Sequence, residues 1–163
     1  MSIYIHIGFR KTATSWLQKN LFPSLPINYI GKGNNNYPDW LINWHYADDF
    51  YFKSQRSEII KMLERNLVGD RPNLISSEAF TNTSVIYSQA VRIKKISPQA
   101  KIIITLRDPV DMVWSHYTHD ILEGDCFVDI DNWLDWGRTP FVLHKRKTIY
   151  IPDFFFDETI KHY

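Results

Sequence analysis

An α/β fold built on a parallel sheet is what this 163-residue sequence predicts. Three observations carry the expectation. Segments of strand chemistry alternate with segments of helical periodicity, an order that folds into parallel strands joined by right-handed crossovers. The run Lys101-Ile102-Ile103-Ile104-Thr105-Leu106 is apolar without interruption, as in a strand covered on both faces in the middle of a parallel sheet. The first strand-like segment ends at Gly8 and leads into a hydroxyl-rich turn that opens a helix.

Ile3-Tyr4-Ile5-His6-Ile7 is β-branched and aromatic and reads as the first strand. Thr14 or Ser15 is placed to cap a helix through Trp16, Leu17 and Leu21 that Pro23 ends. A short strand at Ile27 to Ile30 is closed by Gly31 to Asn36. Tyr37 to Lys53 reads as short helices and loop. Ser57 to Leu67 carries Ile60, Leu63 and Leu67 at helical spacing, stopped by Gly69-Asp70-Arg71-Pro72. Asn73 to Ser77 is a strand, and Ser84 to Ile96 a helix with Ile86, Ala90 and Ile93 on one face. After the Lys101–Leu106 strand, Pro109 starts a helix whose apolar stripe is Val110, Val113, Trp114, Tyr117 and Ile121. In the tail, Asp131 to Trp136 forms one or two helical turns and Phe154 to Tyr163 begins another helix; no further buried strand follows.

The length suits one domain, residues 1–163, with a core of useful size. Hydrophobic residues make up 44% and aromatics 15%, which excludes a disordered composition. Lysine plus arginine (19) nearly balance aspartate plus glutamate (18), so the broad basic field of a nucleic-acid binder is missing. A small anionic ligand stays compatible, since a few cations in one cleft leave the total unchanged. Cys126 is the sole cysteine, which rules out an intramolecular disulfide; its expected role is a small buried hydrophobe. Ile3 to Ile7 is too short and too polar for a signal peptide, and no segment nears the roughly 20 apolar residues of a membrane span. A cytoplasmic protein without a membrane partner is expected.

Two segments carry chemistry. In Gly8-Phe9-Arg10-Lys11-Thr12-Ala13-Thr14-Ser15-Trp16 the helix start offers unpaired N–H groups and partial positive charge, to which Lys11 adds a full charge and the hydroxyls add rotatable donors. It is not a Walker A loop, which needs lysine directly before the capping hydroxyl and a second glycine. The same residues also suit an ordinary β–α turn. In the second segment, Arg107 leaves the carboxyl end of what reads as a central strand, where open α/β sheets bind ligands, and Ser115 lies two turns into the next helix. An arginine paired with Asp108 or Asp111, beside a solvent-facing serine, accounts equally for that segment.

Together the segments resemble the sulfotransferases that use 3′-phosphoadenosine-5′-phosphosulfate (PAPS). Ile7 to Gln18 is similar to their phosphosulfate loop, G-x-P-K-[ST]-G-[ST]-[ST]-W-L-Q, and Arg107 to Tyr117 to their 3′-phosphate motif, R-[ND]-P-x-x-x-x-x-S-x-Y. The resemblance implies a three-layer P-loop-NTPase-like sheet flanked by helices. It implies that Lys11 stabilises the leaving phosphate, that Thr12, Thr14, Ser15 and Trp16 hold the 5′-phosphate and close the pocket, and that Arg107 and Ser115 hold the 3′-phosphate. Arg10 and Ala13 belong to the same loop but depart from the family, standing where proline and glycine are usual. Alanine at a position that needs positive φ strains the loop. The resemblance spans residues 3–117; residues 125–163 match only loosely, as an acceptor or lid region. The family's last strand and adenine-contacting segment find no counterpart, so the expected sheet lacks that strand and presents an edge that favours self-association.

Glu78, after Ser76-Ser77, is the candidate general base, since sulfuryl transfer needs an acceptor for the hydroxyl proton. A carboxylate capping the next helix or pairing with a lysine is the alternative. His116, His119 and Asp120 have a chelating helical spacing but no evident third strong ligand from elsewhere, so no metal is expected. The aromatic stretch Trp40, Trp44, Tyr46, Phe50, Tyr51 and Phe52 suits either an acceptor pocket or core packing. The expected activity is transfer of a sulfuryl group from PAPS to a hydroxyl or amine of a small molecule or glycan. The alternatives are a truncated, non-catalytic nucleotide binder and, against the missing glycine-lysine-hydroxyl sequence, a P-loop kinase.

Overall fold

The computed structural model describes residues 2–32, 37–81, 86–138 and 156–163. Among them four parallel strands form one sheet in the order β2-β3-β1-β4: β1 (Ile3–Gly8), β2 (Asn28–Gly31), β3 (Asn73–Ser76) and β4 (Lys101–Thr105). β1 and β3 lie in the middle, in register from Ile3 opposite Asn73 to His6 opposite Ser76. Helices flank the sheet. The expected α/β class is therefore observed.

The strand period of two separates the faces of β1. Ile5 and Ile7 join Ile75 and Ile30 in the main core, under α2 (Asp39–Tyr46), α3 (Asp49–Asn66) and α4 (Ile86–Ile96). Those helices contribute Leu41 and Trp44, Phe52, Ile59 and Leu63, then Ile93 and Ile96. His6 and Gly8 point the other way, toward the segment after β1. That segment is a short α1 (Thr14–Trp16), a π-helical stretch (Leu17–Leu21) and a 3₁₀ turn (Phe22–Ser24). Phe22 packs edge-on against the His6 ring, centroids 5.1 Å apart. The chain thus leaves β1 on one face, whereas after β3 it passes through a 3₁₀ turn (Glu78–Thr81) to α4 on the other. The carboxyl ends of β1 and β3 border a crevice of the kind where open α/β sheets take ligands.

Several expectations need correcting. Among the described residues β4 is an edge strand, not a central one, and its apolar run is only partly covered: Ile103 is 40% exposed and Leu106 half-exposed. The local run specifies a strand; its neighbours are decided by the rest of the chain. In α5 (Pro109–Leu122) Val110, Trp114 and Ile121 are exposed among the described residues, while Met112 and Asp120 are buried. The start of α5 follows the expectation, with Pro109 in the first turn and the Asp108 carboxylate accepting from the Val110 and Asp111 amides. α3 begins at Asp49 instead of Ser57, capped by the Asp48 carboxylate on the Tyr51 amide. The last residues of the stretch assigned to short helices and loop, from Asp49 to Lys53, thus belong to an 18-residue helix, while its earlier part holds the short helix α2 as expected. Neither Thr14 nor Ser15 caps α1. Ala13 occupies the cap position in a left-handed conformation, its carbonyl accepting from Trp16 and Leu17 N–H, and Pro23 sits inside the 3₁₀ turn.

The aromatic stretch divides. Trp40, Trp44 and Phe52 are core, whereas Phe50 and Tyr51 are exposed. Cys126 is buried, as expected. In the tail, α6 (Ile130–Arg138) buries Trp133, whose indole N–H donates to Asp120 at 3.1 Å. α7 (Phe156–Ile160) places Phe156 on Phe9, centroids 4.6 Å apart, and the Tyr163 hydroxyl donates to the Phe80 carbonyl. The expectations for residues 33–36, 82–85 and 139–155, including the first residues of the last helix, lie outside the described residues.

Candidate functional site: a cationic cleft at the strand ends

The site begins with the turn after β1. Gly8 admits no side chain: a Cβ there would lie 2.0 Å from the Thr14 methyl and 2.9 Å from the Thr105 hydroxyl. The chain then turns through two left-handed residues, Lys11 (φ 63°) and Ala13 (φ 61°). Such backbone costs an L-residue about 1–2 kcal/mol each and persists only where its surroundings enforce it. The enforcing contacts are visible. Buried Thr12 donates to the Phe9 carbonyl at 2.6 Å and meets the Thr105 hydroxyl at 3.0 Å. Thr105 in turn lies 3.2 Å from His6 Nε2, whose Nδ1 is 2.7 Å from Ser76 Oγ, to which Gln18 also donates. One buried polar chain therefore ties the loop to β1, β3 and β4.

The expected strain at Ala13 is present in the backbone. Ala13→Gly should remove most of it, offset by the extra freedom glycine gives the unfolded chain. The expected net gain is roughly 0.5–1 kcal/mol, a rise of about 2 °C in the midpoint of ligand-free thermal unfolding. A lowered midpoint would mean that the φ of Ala13 costs nothing.

Above the loop lies a cleft of about 600 Å³, within the range of about 300–1,000 Å³ typical of small-ligand sites. The first segment lines it with Arg10, Lys11, Ala13, Thr14 and Ser15, and the second with Arg107 and Ser115. Glu78 arrives from the end of β3. The two segments touch: Arg107 Nη1 donates to the Lys11 carbonyl at 3.3 Å, while its Nε stands 3.9 Å from Asp111. Glu78 accepts a hydrogen bond from the Thr14 hydroxyl. Two expected residues stand apart. Thr12 is buried beneath the loop with its hydroxyl committed to the frame, and Trp16 is 58% exposed and does not line the cleft.

The fold adds residues the sequence reading did not assign to the ligand. Lys32 reaches the cleft from just beyond β2, and His116, His119 and Asp120 from α5. Lys32 follows a strand end on the ligand-binding side of the sheet, and that position was its available signal. Arg10, Lys11, Lys32 and Arg107 outnumber Glu78 and Asp120 around the cleft. The field shows in His116, whose pKa falls to about 4 through burial first and then through Arg10 and Lys11. A field that opposes an imidazolium favours an anion. Among the described residues no three histidine, cysteine, aspartate or glutamate side chains are grouped to hold a metal ion.

Fold and site together define a class, a parallel α/β domain with a cationic cleft at the carboxyl ends of its strands. No protein-family model, curated protein or solved structure matches the chain. No helix among the described residues is long and apolar enough to cross a membrane.

Proposed function

We propose that the chain is a sulfotransferase of the P-loop-like type, binding PAPS in the cleft and passing its sulfuryl group to a hydroxyl or amine. The observation that carries this reading is the meeting of the two segments around one cleft, with Arg107 hydrogen-bonded to the backbone of Lys11. A ligand with phosphate at both ends of a nucleoside needs two anion-binding ends. Lys11 and Ser15 supply one, and Arg107 and Ser115 supply the other.

In this reading the acceptor oxygen attacks sulfur in line, and the bond from sulfur to the bridging phosphate oxygen breaks. The acceptor proton passes to Glu78, and the electron pair of the broken bond remains on the phosphate, beside Lys11. Charge grows on the bridging oxygen only as the bond breaks, so a cation there acts mainly on the transition state. The Thr14 hydroxyl orients the Glu78 carboxylate through its hydrogen bond. A cytoplasmic setting belongs to the same proposal.

The test is calorimetric titration with the desulfated product, 3′-phosphoadenosine-5′-phosphate (PAP). Wild type is expected to bind, and Arg107→Ala to bind at least roughly tenfold more weakly, the loss of one charge-assisted contact to phosphate. A folded wild type that ignores PAP, or that prefers ATP–Mg²⁺, would reject the assignment.

A further inference from the structure

A second cavity, of about 400 Å³, adjoins the cationic cleft and shares Lys32 and Glu78 with it. Away from that shared wall its character changes. Tyr37, Ile42 and Ala79 form an apolar lining, and Ile42 is 40% exposed, an apolar side chain left open on α2. The polar side chains are already committed to the protein. Gln18 donates to Ser76 Oγ at 3.0 Å. Ser77 Oγ accepts from the Ala79 amide at 3.2 Å and lies 2.8 Å from the Tyr37 hydroxyl, which is itself 3.0 Å from His45 Nδ1. His45 is buried, and its ring anchors Tyr37 from beneath.

We infer that this cavity is the acceptor subsite and that its substrate is a small, uncharged, largely apolar compound bearing one hydroxyl, presented to Glu78 at the shared wall. The inference rests on the sulfuryl-donor reading of the adjoining cleft. A glycan brings many hydroxyls that each need a partner when desolvated, and among the described lining residues Gln18 Nε2 and the Ser77 and Tyr37 hydroxyls are already engaged. A polyanionic acceptor would meet Glu78 with, among the described lining residues, only Lys32 to offset its charge. An apolar body finds Tyr37, Ile42 and Ala79, and its hydroxyl finds a carboxylate on one side and an ammonium on the other. Lys32 then favours the oxyanion that forms as the proton leaves for Glu78, which keeps both charges of the shared wall in use.

The test measures binding of 2-naphthol and of N-acetyllactosamine to the full chain by saturation-transfer NMR and calorimetry, with and without PAP, in wild type and in Ile42→Asp. The expected result is naphthol binding without lactosamine binding. Ile42→Asp, at an exposed position, should weaken naphthol roughly tenfold or more, with PAP affinity and thermal midpoint nearly unchanged. Lactosamine binding in place of naphthol overturns the inference, and so does naphthol binding that ignores Ile42→Asp. Naphthol binding as expected by a chain that does not bind PAP rejects the donor reading while the apolar site stands. PAP binding without naphthol binding does the reverse.

Discussion

Lys11→Ala is expected to slow turnover of PAPS by about 10²–10³-fold, the usual cost of removing one group aimed at charge that develops in the transition state. Water can stand in for the acceptor, so the measurement is the release of PAP and sulfate from PAPS. The backbone contribution of this position survives the change. Its carbonyl still accepts from Arg107, and alanine at φ 63° carries much the same strain as lysine. PAP affinity should therefore fall much less than the rate, because the product no longer presents the breaking bond. Lys11→Arg separates charge from shape. It keeps the cation but spreads it over a planar fork, so partial activity is expected. Equal losses in PAP affinity and rate would make Lys11 a plain phosphate ligand. Unchanged turnover would remove it from the chemistry.

What the sequence made legible is local. β1 and its glycine, the strand chemistry of residues 73–76 and 101–105, and the Asp108-Pro109 start of α5 follow from residue types and spacing, and all are found. The gathering of Lys11, Glu78, Arg107 and Ser115 around one cleft was legible because each follows a strand end or lies on the next helix, and parallel strands deliver all such positions to one side of the sheet. What stayed hidden depends on neighbours. Nothing inside Ile102-Ile103-Ile104 says whether one strand or two will flank it, and among the described residues β4 is an edge. Lys32 lies beside a glycine- and asparagine-rich turn whose composition announces a loop but not where the loop points. Thr12 and Trp16 match a motif, yet Thr12 serves the frame and Trp16 faces solvent, because a motif records residue order and not the direction of side chains.

The frame behind the loop also implies a pH limit. His6, His45 and His116 all have depressed pKa values: His6 falls to about 4 through burial, His45 to about 3 through burial and then Arg92, and His116 to about 4 through burial and then Arg10 and Lys11. In the unfolded chain each titrates near 6.5, so between pH 6.5 and 4 the unfolded state binds more protons than the native one. Stability then rises with pH through that window: it is fully present above about 6.5 and is lost as the pH falls. At pH 5 the loss comes to about 2 kcal/mol for each of the three histidines, about 6 together, a large share of a domain's usual 5–15 kcal/mol. The thermal midpoint is expected to drop by roughly 15 °C between pH 7.5 and pH 5. Asp49, its carboxyl held low first by the Arg92 hydrogen bond, titrates below this window, so the histidines dominate it. His6→Asn isolates the part carried by the polar chain that joins Ser76, Thr105 and Thr12. The variant should be less stable at both pH values, having lost a ring that spans two hydroxyls 2.7 and 3.2 Å away, but about a third of the pH dependence should disappear. Because the readout is a difference between two pH values, a general loss of stability does not obscure it. An unaltered drop in the variant would show that His6 is not held neutral in the fold, and that the loop after β1 is not anchored through an uncharged imidazole.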